Sequence, residues 1–135
     1  MNYWIFQSVV EQQDLRERLQ EGKEDTRLAS RYRQQMSVGD LVFFWLGGSD
    51  DIRGIYGWGE LLSGPEFKDD RQEYRVRVRY KKRLRNHLSA SQIRAVPELK
   101  NMLILRAPQA TNFILSREEA QSIAGLIDPS ERPEI

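Results

Sequence analysis

Short apolar runs separated by turns set the pattern of this chain. Tyr3 to Ser8 is apolar, aromatic and β-prone, so it reads as a strand inside a sheet, with Trp4, Phe6 and Ser8 on one face and Tyr3, Ile5 and Gln7 on the other. Leu41 to Leu46 has strand length and no charge, the mark of a strand buried on both faces or set in a barrel wall. Arg53 to Leu62 reads as another strand, whose Gly54, Gly57 and Gly59 signal a bend, a bulge or close approach of another backbone. From Tyr74 to Lys81 the alternation is strict: Tyr74, Val76, Val78 and Tyr80 point one way, and Arg75, Arg77, Arg79 and Lys81 the other. Met102 to Leu105 is apolar enough for one more short strand.

Helical spacing occurs between these runs. Glu11 to Gln20 places Leu15 and Leu19 on one face, with Gly22 positioned as a left-handed end. In the polar segment from Lys23 to Ser37, Leu28, Tyr32 and Met36 are spaced by four, which predicts a second short helix or helical turn carrying Arg27, Arg31 and Arg33 beside it. Ser91 to Leu99 reads as a short helix interrupted by Pro97. Ser116 with Glu119 has capping-box form and opens a helix whose apolar face is Ala120, Ile123, Ala124 and Ile127, stopped by Asp128 and Pro129. Val38-Gly39-Asp40 is a tight turn, while Gly47 to Asp51 and Pro108 to Asn112 are loops. The polar tail, residues 128–135, reads as a frayed end or the start of a linker. Short strands with helices at the ends describe an α+β barrel, one domain over residues 1–135.

Composition narrows the chemistry. A chain of 135 residues supports one core, and 39% hydrophobic residues with a net charge of +1 exclude disorder. Without cysteine there is no disulfide framework, thiolate metal site or cysteine nucleophile, and His87 is the sole histidine, so no metal or cofactor is expected. No apolar run approaches the roughly 18 residues that cross a bilayer, and no basic segment precedes the first hydrophobic stretch, which points to a cytoplasmic protein without membrane contact. Asp50-Asp51 and Asp69-Asp70 are sequence neighbours in loops and face apart, and the glycines lack the lysine of a phosphate-binding loop. Glu98 and Lys100 have the Glu-x-Lys spacing of metal-dependent nucleases, but in a proline-broken stretch.

Two features remain. Residues 71–85 hold eight Arg or Lys against the single acid Glu73, a density that either neutralises phosphates or simply solvates a strand. Trp4, Trp45 and Trp58 all fall on expected strands, where aromatic rings serve as core or as platforms for an unpaired base.

Four segments together resemble the EVE family, a branch of the PUA-like fold related to the YTH and ASCH domains. Tyr3-Trp4-Ile5-Phe6-Gln7-Ser8 is similar to its opening strand of the form Tyr-Trp-hydrophobic-x-Lys-Ser, and Met36-Ser37-Val38-Gly39-Asp40 to its Met-x-Val-Gly-Asp approach to the next strand. Gly54-Ile55-Tyr56-Gly57-Trp58-Gly59-Glu60 resembles its Gly-Ile-x-Gly-x-Gly-Glu strand, and Ala110-Thr111-Asn112-Phe113-Ile114-Leu115-Ser116 its Gly-Thr-Asn-Phe-x-Leu-Thr segment. Gln7 replaces the usual lysine, Ala110 a common glycine, and no asparagine separates Arg31 from Tyr32. The resemblance implies a PUA-like mixed β-barrel of about five to six strands with flanking short helices. It further implies a base pocket built from Trp4, Ser8, Arg31, Tyr32, Trp45, Trp58, Thr111 and Asn112, with Arg75, Arg77, Arg79, Lys81, Lys82 and Arg83 holding phosphates.

On this reading the chain is a non-catalytic reader of DNA or RNA carrying a modified base such as methylated cytosine, acting through an effector such as a nuclease or ATPase. A protein-interaction or small-ligand regulatory module, with the arginines merely solvated, is the alternative. A small metal-dependent nuclease using Glu98 and Lys100 is the third.

Overall fold

The computed structural model describes residues 1–11 and 14–135. In chain order the elements are β1 (Tyr3–Val9), α1 (Leu15–Arg18), β2 (Glu24–Leu28), a 3-10 turn (Arg33–Gln35), β3 (Leu41–Gly47), β4 (Gly54–Leu61), β5 (Glu66–Lys68) and β6 (Glu73–Ser89). Then come α2 (Ala90–Arg94), α3 (Leu103–Arg106), β7 (Asn112–Leu115) and α4 (Arg117–Leu126). All seven strands belong to one mixed sheet of order β2-β6-β4-β3-β1-β7, with β5 paired only to β6. Only β1 and β3 run parallel; the other pairs are antiparallel.

Period-two alternation sorts the strand residues into two cores. Trp4, Phe6, Val42, Phe44, Val76, Val78 and Tyr80 fill the inner face of the curled sheet, with Leu15 and Leu19 from the α1 segment. Ile5, Phe43, Trp45 and Ile55 form the outer face, covered by Ile93, Ile104, Ala120 and Ile123 of α2, α3 and α4. That is why β3 is buried at every position.

The glycines of β4 are what allow β6 to curl around it. A Cβ at Gly59 would strike the Arg79 carbonyl, and one at Gly54, which holds φ +152°, would strike the Leu88 carbonyl. The β4–β6 register shifts twice, once at Lys81 and again opposite Tyr56, so β6 begins in the inner core and ends with Leu84 and Leu88 in the outer one.

Several expectations need correction. The segment from Leu28 to Met36 forms no longer helix than a single helical turn, the 3-10 turn at Arg33–Gln35: Glu24–Leu28 pairs with β6, and Tyr32 takes a left-handed φ of 57° that interrupts the helical spacing. Of the helix expected over residues 11–20 only Leu15–Arg18 forms, capped by the Asp14 side chain, and residues 12 and 13 lie outside the described residues. Gly22 adopts φ 84° in the turn into β2 instead of ending α1. Met102–Leu105 is not a strand, because β1's free edge is taken by β7, which starts at Asn112 where a loop was expected; Leu103–Arg106 coils as α3. The basic strand runs on to Ser89, and β5 brings the sheet to seven strands. The tail packs against the sheet: Trp58 Nε1 donates to the Glu131 carbonyl at 2.8 Å, the Arg85 amide donates to the Glu131 carboxylate at 3.0 Å, and Pro133 is buried. The capping boxes at Ser89 and Ser116 are both formed.

The turn into β3 is pinned by Asp40, only 2% exposed, whose carboxylate accepts from the Asn2 amide, Trp4 Nε1 and the Ser37 amide, each at 3.0 Å. Asp40→Ala strands three donors and is expected to lower stability by about 3 kcal/mol in urea unfolding; a loss under about 0.5 kcal/mol would show that water satisfies them.

Candidate functional site

The two ends of the sheet meet. β2 and β7 are its edge strands, yet Asn112 Nδ2 donates to the Leu28 carbonyl at 2.9 Å while its Oδ1 accepts from the Ser30 amide at 2.9 Å and the Arg31 amide at 3.4 Å. One fully buried side chain therefore clasps the segment after β2 to the start of β7. Beside it, Arg27 on β2 donates through one terminal nitrogen to Ser8 Oγ on β1 at 2.7 Å, a second bond across the seam. The Pro108–Thr111 loop is fixed to β1 by Gln7, whose Nε2 donates to the carbonyls of Pro108 and Ala110 at 3.0 and 2.8 Å and whose amide donates to the Thr111 carbonyl.

Along this seam lies an open cleft of about 420 Å³, lined by Gln7, Ser8, Val9, Arg27, Leu28, Arg71, Glu73, Arg75 and Pro108–Thr111. Its size falls in the ~300–1,000 Å³ range of small-ligand pockets. Arg27 forms its floor at 3% exposure, with its guanidinium carbon 5.3 Å from the Phe44 ring centroid. Burial pushes the Arg27 guanidinium below its ordinary value, opposed by nearby Tyr80 and Asp25. Asp25 accepts from Arg18 at 2.6 Å and from Tyr80 Oη at 2.6 Å. Burial acts to raise the Asp25 carboxyl, but those bonds hold it below its usual range, while burial pushes the Tyr80 phenol up to about 12. On the rim, Arg75 pairs with Glu73 and donates to the Thr26 carbonyl at 2.9 Å.

The residues named from sequence divide between this cleft and other places. Ser8 and Thr111 line the cleft, and Asn112 is the clasp at its edge. Tyr32 lies beyond the clasp, bordering a shallower groove with Ser30, Arg33, Gln34, Gln35, Pro65 and Tyr74; exposed Arg31 sits over its ring. Trp4 is fully buried against Asp40, 6.3 Å from Tyr32. Trp45 and Trp58 are not brought to the cleft: alternation turns both to the outer face, where Trp45 is sealed in the core and Trp58 binds the tail. No aromatic ring lines the cleft among the described residues. Sequence reasoning missed Gln7, Arg27, Arg71 and Glu73; only reading residues 24–28 as a strand would have turned Arg27 inward.

Carboxylates already face the basic strand. Arg77 pairs with Glu66 at 3.6 Å, Arg79 with Glu24 at 2.9 Å, Lys81 with Glu60 at 3.9 Å and Lys82 with Glu21 at 3.7 Å. Arg83 donates to the Leu19 carbonyl at 2.9 Å. His87 stacks on Tyr56 with centroids 4.5 Å apart. Glu98 and Lys100 are exposed in turns after α2, and among the described residues no three potential metal ligands gather. No described helix is long and apolar enough to cross a membrane.

The EVE domain family model matches residues 2–126. The chain belongs to the EVE family. No curated protein sequence matches it. Solved structures similar to this EVE domain include Rpa0253 from Rhodopseudomonas palustris, at TM-score 0.74 and 16% identity over 99% of this chain and 100% of that one. A Pseudomonas putida protein aligns at TM-score 0.75 and 17% identity, covering 92% and 98% of the two chains. Human THYN1 in complex with 5-methylcytosine-containing DNA aligns at TM-score 0.73 and 15% identity, covering 93% and 97%. At these identities the likeness establishes the PUA-like fold of the EVE domain.

Two outcomes are expected. Asn112→Ala releases the clasp and leaves buried backbone groups unpaired, lowering stability by about 2–4 kcal/mol; thermal unfolding checks this. Because the Asp25 carboxyl is depressed in the folded state, its stabilisation is present above the unfolded carboxyl value of about 3.9 and is lost as pH falls through the lower folded value. Urea midpoints measured from pH 6 downward should therefore decline below about pH 4, less steeply in Asp25→Asn.

Proposed function

We propose that this EVE domain is a non-catalytic reader of DNA that takes a modified base, such as methylated cytosine, out of the duplex into the cleft between β1, β2 and the Pro108–Thr111 loop. What carries the reading is the cleft itself: a base-sized recess between strands with polar groups on its floor, in a chain whose residues 2–126 match the EVE domain family. The complex of human THYN1 with 5-methylcytosine-containing DNA supports the same use of the fold. Ser8 and Thr111 face the base, and Asn112 holds the seam shut behind it. Arg71 and Arg75 on the rim hold the flanking phosphates, Arg77, Arg79, Lys81 and Lys82 extend the track when phosphates replace their carboxylate partners, and Arg83, whose side chain donates to the Leu19 carbonyl, ends it. A domain this small acts through an effector such as a nuclease or ATPase.

The carboxylates along β6 favour a second reading, an interaction or regulatory module whose basic stripe is self-neutralised and binds no nucleic acid.

Fluorescence anisotropy at two salt concentrations separates the two, using matched single- and double-stranded oligonucleotides carrying cytosine, 5-methylcytosine, 5-hydroxymethylcytosine or N6-methyladenine. The reader prefers one modified base, and Arg71→Gln reduces the salt slope by about one unit without changing that preference. Absence of binding to every oligonucleotide would leave the interaction module.

A further inference from the structure

Beyond the Asn112 clasp the fold leaves aromatic rings in solvent. Phe67 and Tyr74 are paired residues of β5 and β6, their rings edge to face with centroids 5.1 Å apart, and they are 47% and 37% exposed. The face of β6 that buries Val76, Val78 and Tyr80 thus ends in a ring that neither core covers. Tyr74 borders the groove that also takes in Tyr32 and Arg33, about 570 Å³ in volume. No carboxylate lines this groove, and the neighbouring Glu66 pairs with Arg77. The Arg33 guanidinium carbon lies 4.2 Å from the Tyr74 centroid, and that of exposed Arg31 lies 5.6 Å from the Tyr32 centroid. Arg31 donates its backbone amide to Asn112, but among the described residues neither guanidinium has an acid or an acceptor as partner. Stacking on a ring orients a guanidinium while leaving the N–H groups along its edge for a phosphate. The lining contains no Leu, Ile, Val or Met, so it lacks the aliphatic centre of a dry protein interface.

We propose that this groove is a second nucleotide site, which stacks the unpaired nucleotide next to the base held in the cleft, so that a single strand binds better than a closed duplex. The two recesses share one wall. Glu73 and Arg75 border the cleft, Tyr74 between them borders the groove, and the Ala29 amide donates to the Tyr74 carbonyl at 2.9 Å. A strand whose base enters the cleft continues across this wall onto the rings. Base faces are free only where nucleotides are unpaired, and every base has them, so the groove reads strandedness and not sequence. Arg31 and Arg33 take the phosphate on this side of the wall, where no carboxylate competes for them. A duplex must open a second base pair to reach the rings, a cost that a single strand does not carry. The inference rests on the reader reading for the path of the strand and adds a site with its own residues.

The test uses the whole chain and short oligonucleotides carrying one cytosine or 5-methylcytosine, as single strand and as closed duplex. Two further single strands place an abasic spacer on the 5′ or on the 3′ side of the 5-methylcytosine. The wild-type chain should bind the single strand at least about tenfold more tightly than the duplex, and one of the two spacers should cost about tenfold, the scale of one stacked base. In Tyr74→Ala that spacer should cost nothing and the single strand should lose its advantage, while the preference for 5-methylcytosine over cytosine, which reports on the cleft, stays. Tyr74→Phe keeps the ring and should keep the advantage. Arg33 is exposed, so Arg33→Gln tests the same groove should Tyr74→Ala fail to fold, and it should lower the salt slope by about one unit. A spacer penalty equal in wild type and Tyr74→Ala, or a salt slope unchanged in Arg33→Gln, overturns the groove and leaves the reader intact. Tyr74-dependent binding of single strands without preference for any modified base removes the reader and keeps the groove as a strand site. Failure of the wild-type chain to bind any oligonucleotide overturns both.

Discussion

Everything in this fold hangs on how a sheet with two edges disposes of them. β2 and β7 end the strand order, and each would present unpaired backbone groups to solvent. Curling brings them side by side, and the Asn112 amide then supplies the donor and acceptor that a ladder between them would have supplied. Because side chains, the Asn112 amide and the Arg27–Ser8 pair, cross the seam instead of a run of paired backbone, it is closed at these points and open beyond them. The opening is the cleft. The closure of the barrel and the existence of the recess are thus one fact, and Asn112 limits both.

Beside the clasp, the sheet tolerates a buried guanidinium that no folding argument requires. A methionine in its place would pack on Phe44 without a desolvation penalty, whereas Arg27 keeps a donor unpaired at 3% exposure. Its surroundings soften the cost. Asp25, itself held ionised by Arg18 and Tyr80, lends negative potential from the same strand face, and Phe44 offers its ring. The network from Arg18 to Tyr80 thus keeps a cation at the bottom of a polar recess, with partial compensation only.

Legibility in the sequence followed the strength of local pattern. β1, β3 and the inner half of β6 were readable because alternation or a continuous apolar run is imposed by burial, and the capping box at Ser116 because its chemistry is local. β2 was not, since its inward residues are Asp25 and Arg27, and polar residues facing a polar recess leave no hydrophobic period. α3 was read as a strand and β7 was not read as one, because a four-residue apolar run does not distinguish strand from helix; which one pairs with β1 is decided by the whole sheet. The site divided in the same way. Ser8, Thr111 and Asn112 came from family-like motifs, while Trp45 and Trp58 were misplaced because an aromatic on a strand reveals its face only once the sheet's curl is known.

The basic strand shows why charge density alone is a weak guide. Eight cations in fifteen residues look like a phosphate track, but β6 lies between β2 and β4, and β2, β4 and β5 set acids opposite Arg79, Lys81 and Arg77. These exposed pairs are individually weak, on the order of 0–1 kcal/mol, so phosphates can displace the carboxylates at little cost. They also lower the attraction of the stripe for nucleic acid of any sequence. On the reader reading, a stripe whose charge is already balanced would leave more of the affinity to come from the recess at the seam than from phosphate contacts.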